Sequence, residues 1–236
     1  MQKILGALRK ACDQYSLIED GDKICVGISG GKDSLVLLKA MARFQTFSPN
    51  KFSLQAVAID LTNGKNDYSK IESFCKQLNV PLEIVPSNVF EIVFDIRKEK
   101  NPCSLCANMR RGLLNSTAKR LNCNKVALGH HKDDLIETFI ISLFFEGRLS
   151  TFKPKSYLSN TNIYAIRPLI FCNESDIIQI SEDLPILKNI CPADKHTKRE
   201  QAKSILKDLD TTYPNSREKI FNAIIHQERY NLFDKN

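Results

Sequence analysis

The chain has 236 residues, 42% apolar and 26% charged, and its 34 basic and 27 acidic side chains leave a net charge of +7. This is the balance of an ordinary globular protein of one large domain, or of one domain with a modest appendage. No apolar run reaches the length of a membrane span and the N-terminus lacks the apolar core of a signal peptide, so the expectation is a cytoplasmic protein with no membrane partner.

Taken in chain order, ILGALRKACDQY (residues 4–15) has the pattern of a short amphipathic helix. Strands are expected at Lys23–Ser29, Phe52–Asp60, Leu82–Ser87, Lys125–His131 and Tyr164–Phe171, each apolar and bounded by polar or turn residues. Helical patterns fill the intervals at Asp33–Phe47, Asp67–Leu78, Ala107–Leu121 and Asp133–Glu146. The last keeps apolar residues at 135, 136, 139, 140, 143 and 144 on one face and meets Gly147 as a C-cap. RLSTFKPKSYLSNTN, residues 148–162, has no periodicity and reads as a long surface loop. Beyond Phe171 the alternation stops, and NESDIIQISEDL, TKREQAKSILKDLD and SREKIFNAIIHQERY read as three charged helices. The expected fold is therefore α/β, a doubly wound parallel sheet of about five strands over residues 1–172. A C-terminal helical segment, residues 173–236, follows and contributes Cys191.

The first strand runs into Ser29-Gly30-Gly31-Lys32-Asp33-Ser34 and then a helix. Two familiar phosphate loops fail on spacing. A Walker A loop needs Gly five residues before Gly31, where Val26 stands, and Ser or Thr after Lys32, where Asp33 stands. The dinucleotide fingerprint needs Gly two residues after Gly27, where Ser29 stands. The physical ingredients of an anion site are nevertheless present. Two glycines permit close backbone approach, a helix N-terminus offers unpaired amides, and Lys32, Ser29 and Ser34 add donors.

Of the eight cysteines, Cys12, Cys25, Cys75, Cys123 and Cys172 sit singly in mostly apolar surroundings and read as small buried hydrophobes. Cys103 and Cys106 form a C-x-x-C at the mouth of a helix, where thiolates are favoured. Such a pair suits half a zinc site, a redox couple or a cluster anchor. Cys191 is the further cysteine in a polar setting; with no second C-x-x-C, a four-cysteine zinc site lacks donors unless His130, His131 or His196 completes it. Three thiolates with an open fourth position suit an iron–sulfur cluster. Downstream, a strand leads into Gly129-His130-His131 and then Asp133-Asp134 at a helix start, where carboxylates also serve simply as caps. Arg110 and Arg111 follow the C-x-x-C, either as anion ligands or as a solvated basic face.

Residues 29–34 resemble the PP-loop of the ATP pyrophosphatases, the adenine-nucleotide hydrolase superfamily. In order, SGGKDS, CSLCANMRRG, LGHHKDD, IRPL, a late cysteine and NLF near the end are together similar to the tRNA 2-thiocytidine synthetase (TtcA) family. The resemblance covers nearly the whole chain; Cys191 departs from it by standing alone before Pro192, where the family pattern often has a second C-x-x-C. It implies an ATP-dependent tRNA sulfurtransferase forming 2-thiocytidine in the anticodon loop through an adenylated intermediate. Ser29, Gly30, Gly31, Lys32, Asp33 and Ser34 would bind ATP, with Asp60 near the adenosine. Asp133 or Asp134 would act in adenylation through Mg2+, and Arg110 would neutralise the activated phosphate. Cys103, Cys106 and Cys191 would hold a 4Fe–4S cluster whose open iron binds the sulfur. A cysteine desulfurase is the implied sulfur donor, and a homodimer stays open. Lys195, Lys198 and Arg199 are candidate contacts to tRNA phosphates. The alternatives are a lysidine synthetase-like or other PP-loop tRNA-modifying enzyme, and a non-enzymatic zinc-bearing RNA-binding module.

Overall fold

A strand buried on both faces needs apolar side chains at every position, and DKICVGI comes close to this. It forms β1 (Asp22–Ile28), the strand on which the site is built. The computed structural model describes residues 1–98, 102–188, 191, 198–230 and 232. These divide into two compact units: Met1–His131 with Lys153–Ala193, and Lys132–Phe152 with Asp194–Asn236.

The first unit holds a six-stranded sheet in the order β3-β2-β1-β4-β6-β5. Its strands are β1, β2 (Phe52–Asp60), β3 (Leu82–Pro86), β4 (Lys125–Ala127), β5 (Lys155–Leu158) and β6 (Ile163–Ile166). All pairings are parallel except β5 with β6. Cys25, Val57, Ile59 and Val126 pack with Leu114 and Ala118 of α4 (Pro102–Arg120) on one face. By the pleat, Ile24, Val26 and Ile28 point to the other face. Helix α2 (Lys32–Gln45) packs against β1, and α1 (Gln2–Tyr15) and α6 (Glu174–Ser181) pack against α2. Helix α1 buries Ile4, Leu8, Ala11 and Cys12, a face at helical spacing. At the amino edge of the sheet Lys125, only 1% exposed, is held by Asp22 at 2.6 Å and Glu19 at 2.5 Å.

Four expectations are corrected. The stretch 148–162 is not one loop, because it contains β5, closed onto β6 by a turn in which Asn162 is left-handed. KSYL is a short, half-buried edge strand, and its mixed polarity hides it from pattern reading. With β5 the sheet has six strands, where about five were expected. The strands expected to reach His131 and Phe171 end at Ala127 and Ile166, the second shortly before Pro168. Helix α4 starts at Pro102 rather than Ala107, with proline at the position where a missing N–H is harmless, so the C-x-x-C lies in its first turn. A π-helical turn, Glu91–Ile96, precedes it.

The second unit is helical: α5 (Lys132–Glu146) packs against α7 (Lys198–Thr212) and α8 (Ser216–Ile225). Leu135, Ile136 and Ile140 of α5, Ala202 and Leu206 of α7, and Phe221 and Ile224 of α8 are buried. Leu143 and Phe144, expected on the same buried stripe of α5, are exposed. No described helix is long and apolar enough to cross a membrane.

Candidate active site

Helix α3 (Ser69–Gln77) leads from β2 to β3 on one side of β1, and the chain then returns through α4 to β4 on the other. Such a reversal opens a crevice at the carboxyl ends of the strands, the ordinary ligand site of these sheets. Residues 29–34 turn there. Gly30 has φ +80°, a conformation that a side chain resists, and Gly31 is the extended N-cap of α2. Ser34 Oγ donates to the Gly31 carbonyl at 2.9 Å and accepts from the Ser29 N–H at 3.2 Å; Gly31 N–H donates to Ser29 Oγ at 3.3 Å. The two serines expected as anion donors therefore hold the turn in shape. Lys32 Nζ meets Asp33 Oδ1 and Glu174 Oε1, each at 2.9 Å. Burial pulls its pKa down, but hydrogen bonds to those two carboxylates outweigh burial and raise it.

Gly129 backs this turn. A Cβ there would lie 3.0 Å from the Asp33 carbonyl and 3.1 Å from the Ser34 nitrogen, both unyielding backbone atoms. His131, 3% exposed, brings Nε2 to 3.7 Å from Asp33 Oδ1. His130 is half-buried, and His196 lies outside the described residues.

Asp60, at the end of β2, is 2% exposed. Its carboxylate accepts from Thr62 N–H at 3.1 Å, Thr62 Oγ1 at 2.7 Å, Gly64 N–H and Asn66 Nδ2 at 3.2 Å. Burial raises its pKa, and these donors together lower it further than burial lifts it. Asp60 thus organises the turn that presents Thr62, Asn66 and Tyr68 to a cleft.

That cleft, about 350 Å³, also takes in Ser29, Gly30, Gly31, Phe90, Leu187, Cys106, Arg110, Lys188 and Cys191. Burial pushes the Cys106 thiol up, the Arg110 guanidinium opposes this, and the neighbouring Cys191 and Cys103 thiols add to the rise. Cys106 and Cys191 share the cleft, and Cys103 lies three residues before Cys106 on α4, so the three supply soft sulfur donors of the kind that hold iron or zinc. Among the described residues no three Cys, His, Asp or Glu side chains are already grouped at metal-binding spacing. The other five cysteines are buried. Burial holds Cys12 and Cys172 at about 12 and Cys75 at about 11, which leaves them protonated and inert. Arg167 of IRPL donates to the Lys153 carbonyl at 2.5 Å, and burial, with Arg111 nearby, lowers it to about 10.

A PP-loop domain model matches residues 3–186 of the chain. A tRNA-cytidine(32) 2-sulfurtransferase of Vibrio vulnificus (strain YJ016) is 37% identical over 234 residues, 95% of this chain and 76% of that protein. The enzyme of the same name from Cytophaga hutchinsonii is 36% identical over 244 residues, covering 99% and 85%. The chain belongs to the tRNA-cytidine(32) 2-sulfurtransferase family of PP-loop enzymes. Among solved structures, the U34-tRNA thiolase NcsA from Methanococcus maripaludis with its [4Fe-4S] cluster superposes with a TM-score of 0.76 at 25% identity, over 100% of this chain and 82% of that one. An NH3-dependent NAD synthetase from Campylobacter jejuni, at 18% identity and TM-score 0.50, shares the fold.

In this sulfurtransferase-family chain Asp133 and Asp134 belong to the second unit, and each meets an arginine. Asp133 Oδ1 is 3.4 Å from Arg217 Nη1, whose Nε is held by Asp210 at 2.5 Å. Asp134 Oδ1 is 3.2 Å from Arg199 Nη1, whose Nε lies 3.3 Å from Glu137. Arg199 is therefore already matched by two carboxylates; Lys198 lies over the Phe145 ring at 5.6 Å, and Lys195 falls outside the described residues. Sequence reading overlooked Glu174, Leu187 and Lys188. Glu174 carried only the signal of an acidic helix start after Asn173, and nothing local pointed to Lys32 as its partner.

Proposed function

We propose that this chain replaces the C2 oxygen of a tRNA cytidine with sulfur, at the position 32 that its relatives' names specify. The observation that carries the reading is a single cleft with the Ser29–Gly31 turn, Arg110 and the thiols of Cys106 and Cys191 in its walls.

An amide-like oxygen leaves poorly, so ATP must first activate it. Gly30, Gly31 and the N-terminus of α2 cradle the phosphates, with Lys32 beside them. The C2 oxygen attacks the α-phosphorus and pyrophosphate departs. Arg110 neutralises the phosphate that remains, sulfide adds at C2, and AMP leaves with the former C2 oxygen, so the exchange needs no electrons. When bound, a 4Fe–4S cluster held by Cys103, Cys106 and Cys191 supplies a fourth iron open to an outside sulfur ligand. Asp133 and Asp134 are the proposed Mg2+ carboxylates, and in that role they exchange Arg217 and Arg199 for the metal. Asp60 shapes the nucleotide wall through Thr62 and Asn66. A cysteine desulfurase delivers the sulfur as a persulfide, which thiol reductant converts to sulfide while itself being oxidised to disulfide, and the reaction belongs in the cytoplasm with its tRNA. A splayed base in a single-stranded loop is the form that such a cleft can reach.

The test is iron, acid-labile sulfide and zinc content of anaerobically purified protein, alongside Cys191→Ala and the buried-thiol control Cys75→Ala. Iron and sulfide lost with Cys191→Ala and kept with Cys75→Ala are expected. So is 2-thiocytidine formed in tRNA only when ATP, Mg2+ and sulfide are all supplied. Zinc alone in the anaerobic protein, or thiolation without pyrophosphate release, would sink the mechanism.

A further inference from the structure

The wall between the turn and Cys191 is a short strap, Leu184–Lys188, for which the sulfur-transfer scheme has no use. Its rear is fixed at the end of α6, where Leu184, 8% exposed, donates its N–H to the Ser181 carbonyl at 3.0 Å. Its front rests on the turn. Leu187 N–H donates to the Gly30 carbonyl at 2.9 Å. The Leu187 side chain lies over Gly30 so closely that a Cβ there would fall 2.8 Å from Leu187 Cδ1. Lys188 lines the cleft, and Cys191, four residues beyond Leu187, lines it too.

The Gly30–Gly31 peptide is shared between these partners. Its carbonyl accepts from Leu187, and its N–H donates to Ser29 Oγ at 3.3 Å. A peptide is planar, so an anion that draws the N–H away from Ser29 tilts the carbonyl as well. The tilt passes directly to Leu187. We infer that Leu187 is a positioning residue that couples phosphate binding at the turn to the placement of Cys191. The inference rests on reading the turn as the nucleotide site. Its consequence is order: the sulfur-bearing wall reaches its working position when the activating nucleotide is in place.

The test uses the full chain purified free of iron. Alkylation of Cys191 by iodoacetamide is followed by peptide mass spectrometry, with and without a saturating non-hydrolysable Mg-ATP analogue, and calorimetry on the same samples measures binding. Added N-acetylcysteine serves as the internal reference for the reagent. The parent and Leu187→Met should show a nucleotide-dependent change of three-fold or more in the Cys191 rate. Leu187→Ala, saturated with the analogue, should lose most of that change. Leu187→Val, with thermal denaturation as a check on folding, should fall between them and decides the matter if the alanine variant does not fold.

An undiminished effect in Leu187→Ala, or in Leu187→Val where it stands in, overturns the coupling, because simple shielding by the nucleotide explains it. A parent that binds the analogue with no change at Cys191 overturns the coupling alone. A parent that binds no analogue overturns the nucleotide reading and the coupling together.

Discussion

Lys32 and Glu174, 142 residues apart in the chain, meet at 2.9 Å beside the Ser29–Ser34 turn. Asp33 holds the same ammonium at the same distance, so two carboxylates share the cation that the signature supplies. Hydrogen bonding to both keeps it charged despite burial. Because its folded pKa lies above the ordinary 10.5, the contribution to stability is complete at neutral pH and is lost only as pH rises through the folded value.

Glu174→Gln should therefore release Lys32 toward phosphate. With both partners roughly one-third exposed, the pair is worth about 0.5–1 kcal/mol, so Mg-ATP should bind roughly two- to five-fold tighter by calorimetry. Weaker binding would mean that Glu174 orients Lys32 rather than competing for it.

Gly129→Ala places a Cβ 3.0 Å from the Asp33 carbonyl, where only backbone could give way. Overpacking of this kind costs about 1–3 kcal/mol and displaces the turn. The expected result is at least ten-fold weaker Mg-ATP binding with the circular dichroism of the parent retained. Parental affinity would show that the turn has slack.

Asp60→Asn replaces a carboxylate that serves several donors with an amide that carries its own N–H groups. The folded pKa of Asp60 lies below the ordinary 3.8, so its stabilisation is present above that value and is lost as pH falls through the folded one. The variant should be about 1–3 kcal/mol less stable at neutral pH and less sensitive to acid, as read by denaturant titrations between roughly pH 6 and 3. Weaker nucleotide binding should accompany this, because Thr62 and Asn66 line the cleft. An unaltered acid limb would remove Asp60 from the account.

At the other edge of the sheet, Lys125→Met leaves Asp22, 3% exposed, without its buried cation. Breaking a buried pair from one side costs about 3 kcal/mol or more, roughly 6–12 °C in Tm for a chain of this size. Mg-ATP affinity measured well below the new Tm should match the parent. A large affinity loss would show that the amino edge communicates with the site.

Motifs whose chemistry is local were legible without coordinates. SGGKDS reads as an anion turn because glycines, a helix start and a lysine act within six consecutive residues. The five isolated cysteines read as buried because their neighbours are apolar, and they are buried. KSYL was missed because an edge strand with one wet face carries too little pattern, and Leu143 and Phe144 were misplaced because helical spacing does not say where the covering elements stop.

Side-chain sequence alone determined the strand–helix alternation, the PP-loop signature and the distinction between buried and more accessible thiols, since each follows from neighbours along the chain. The tertiary structure decided which groups share a charge or a wall: Glu174 on Lys32, Leu187 on Gly30, Cys191 in the cleft of Cys106, and arginines on Asp133 and Asp134. Coulomb and hydrogen-bond energies depend on distance through space, and strand order and helix packing set that distance across separations the sequence does not encode locally.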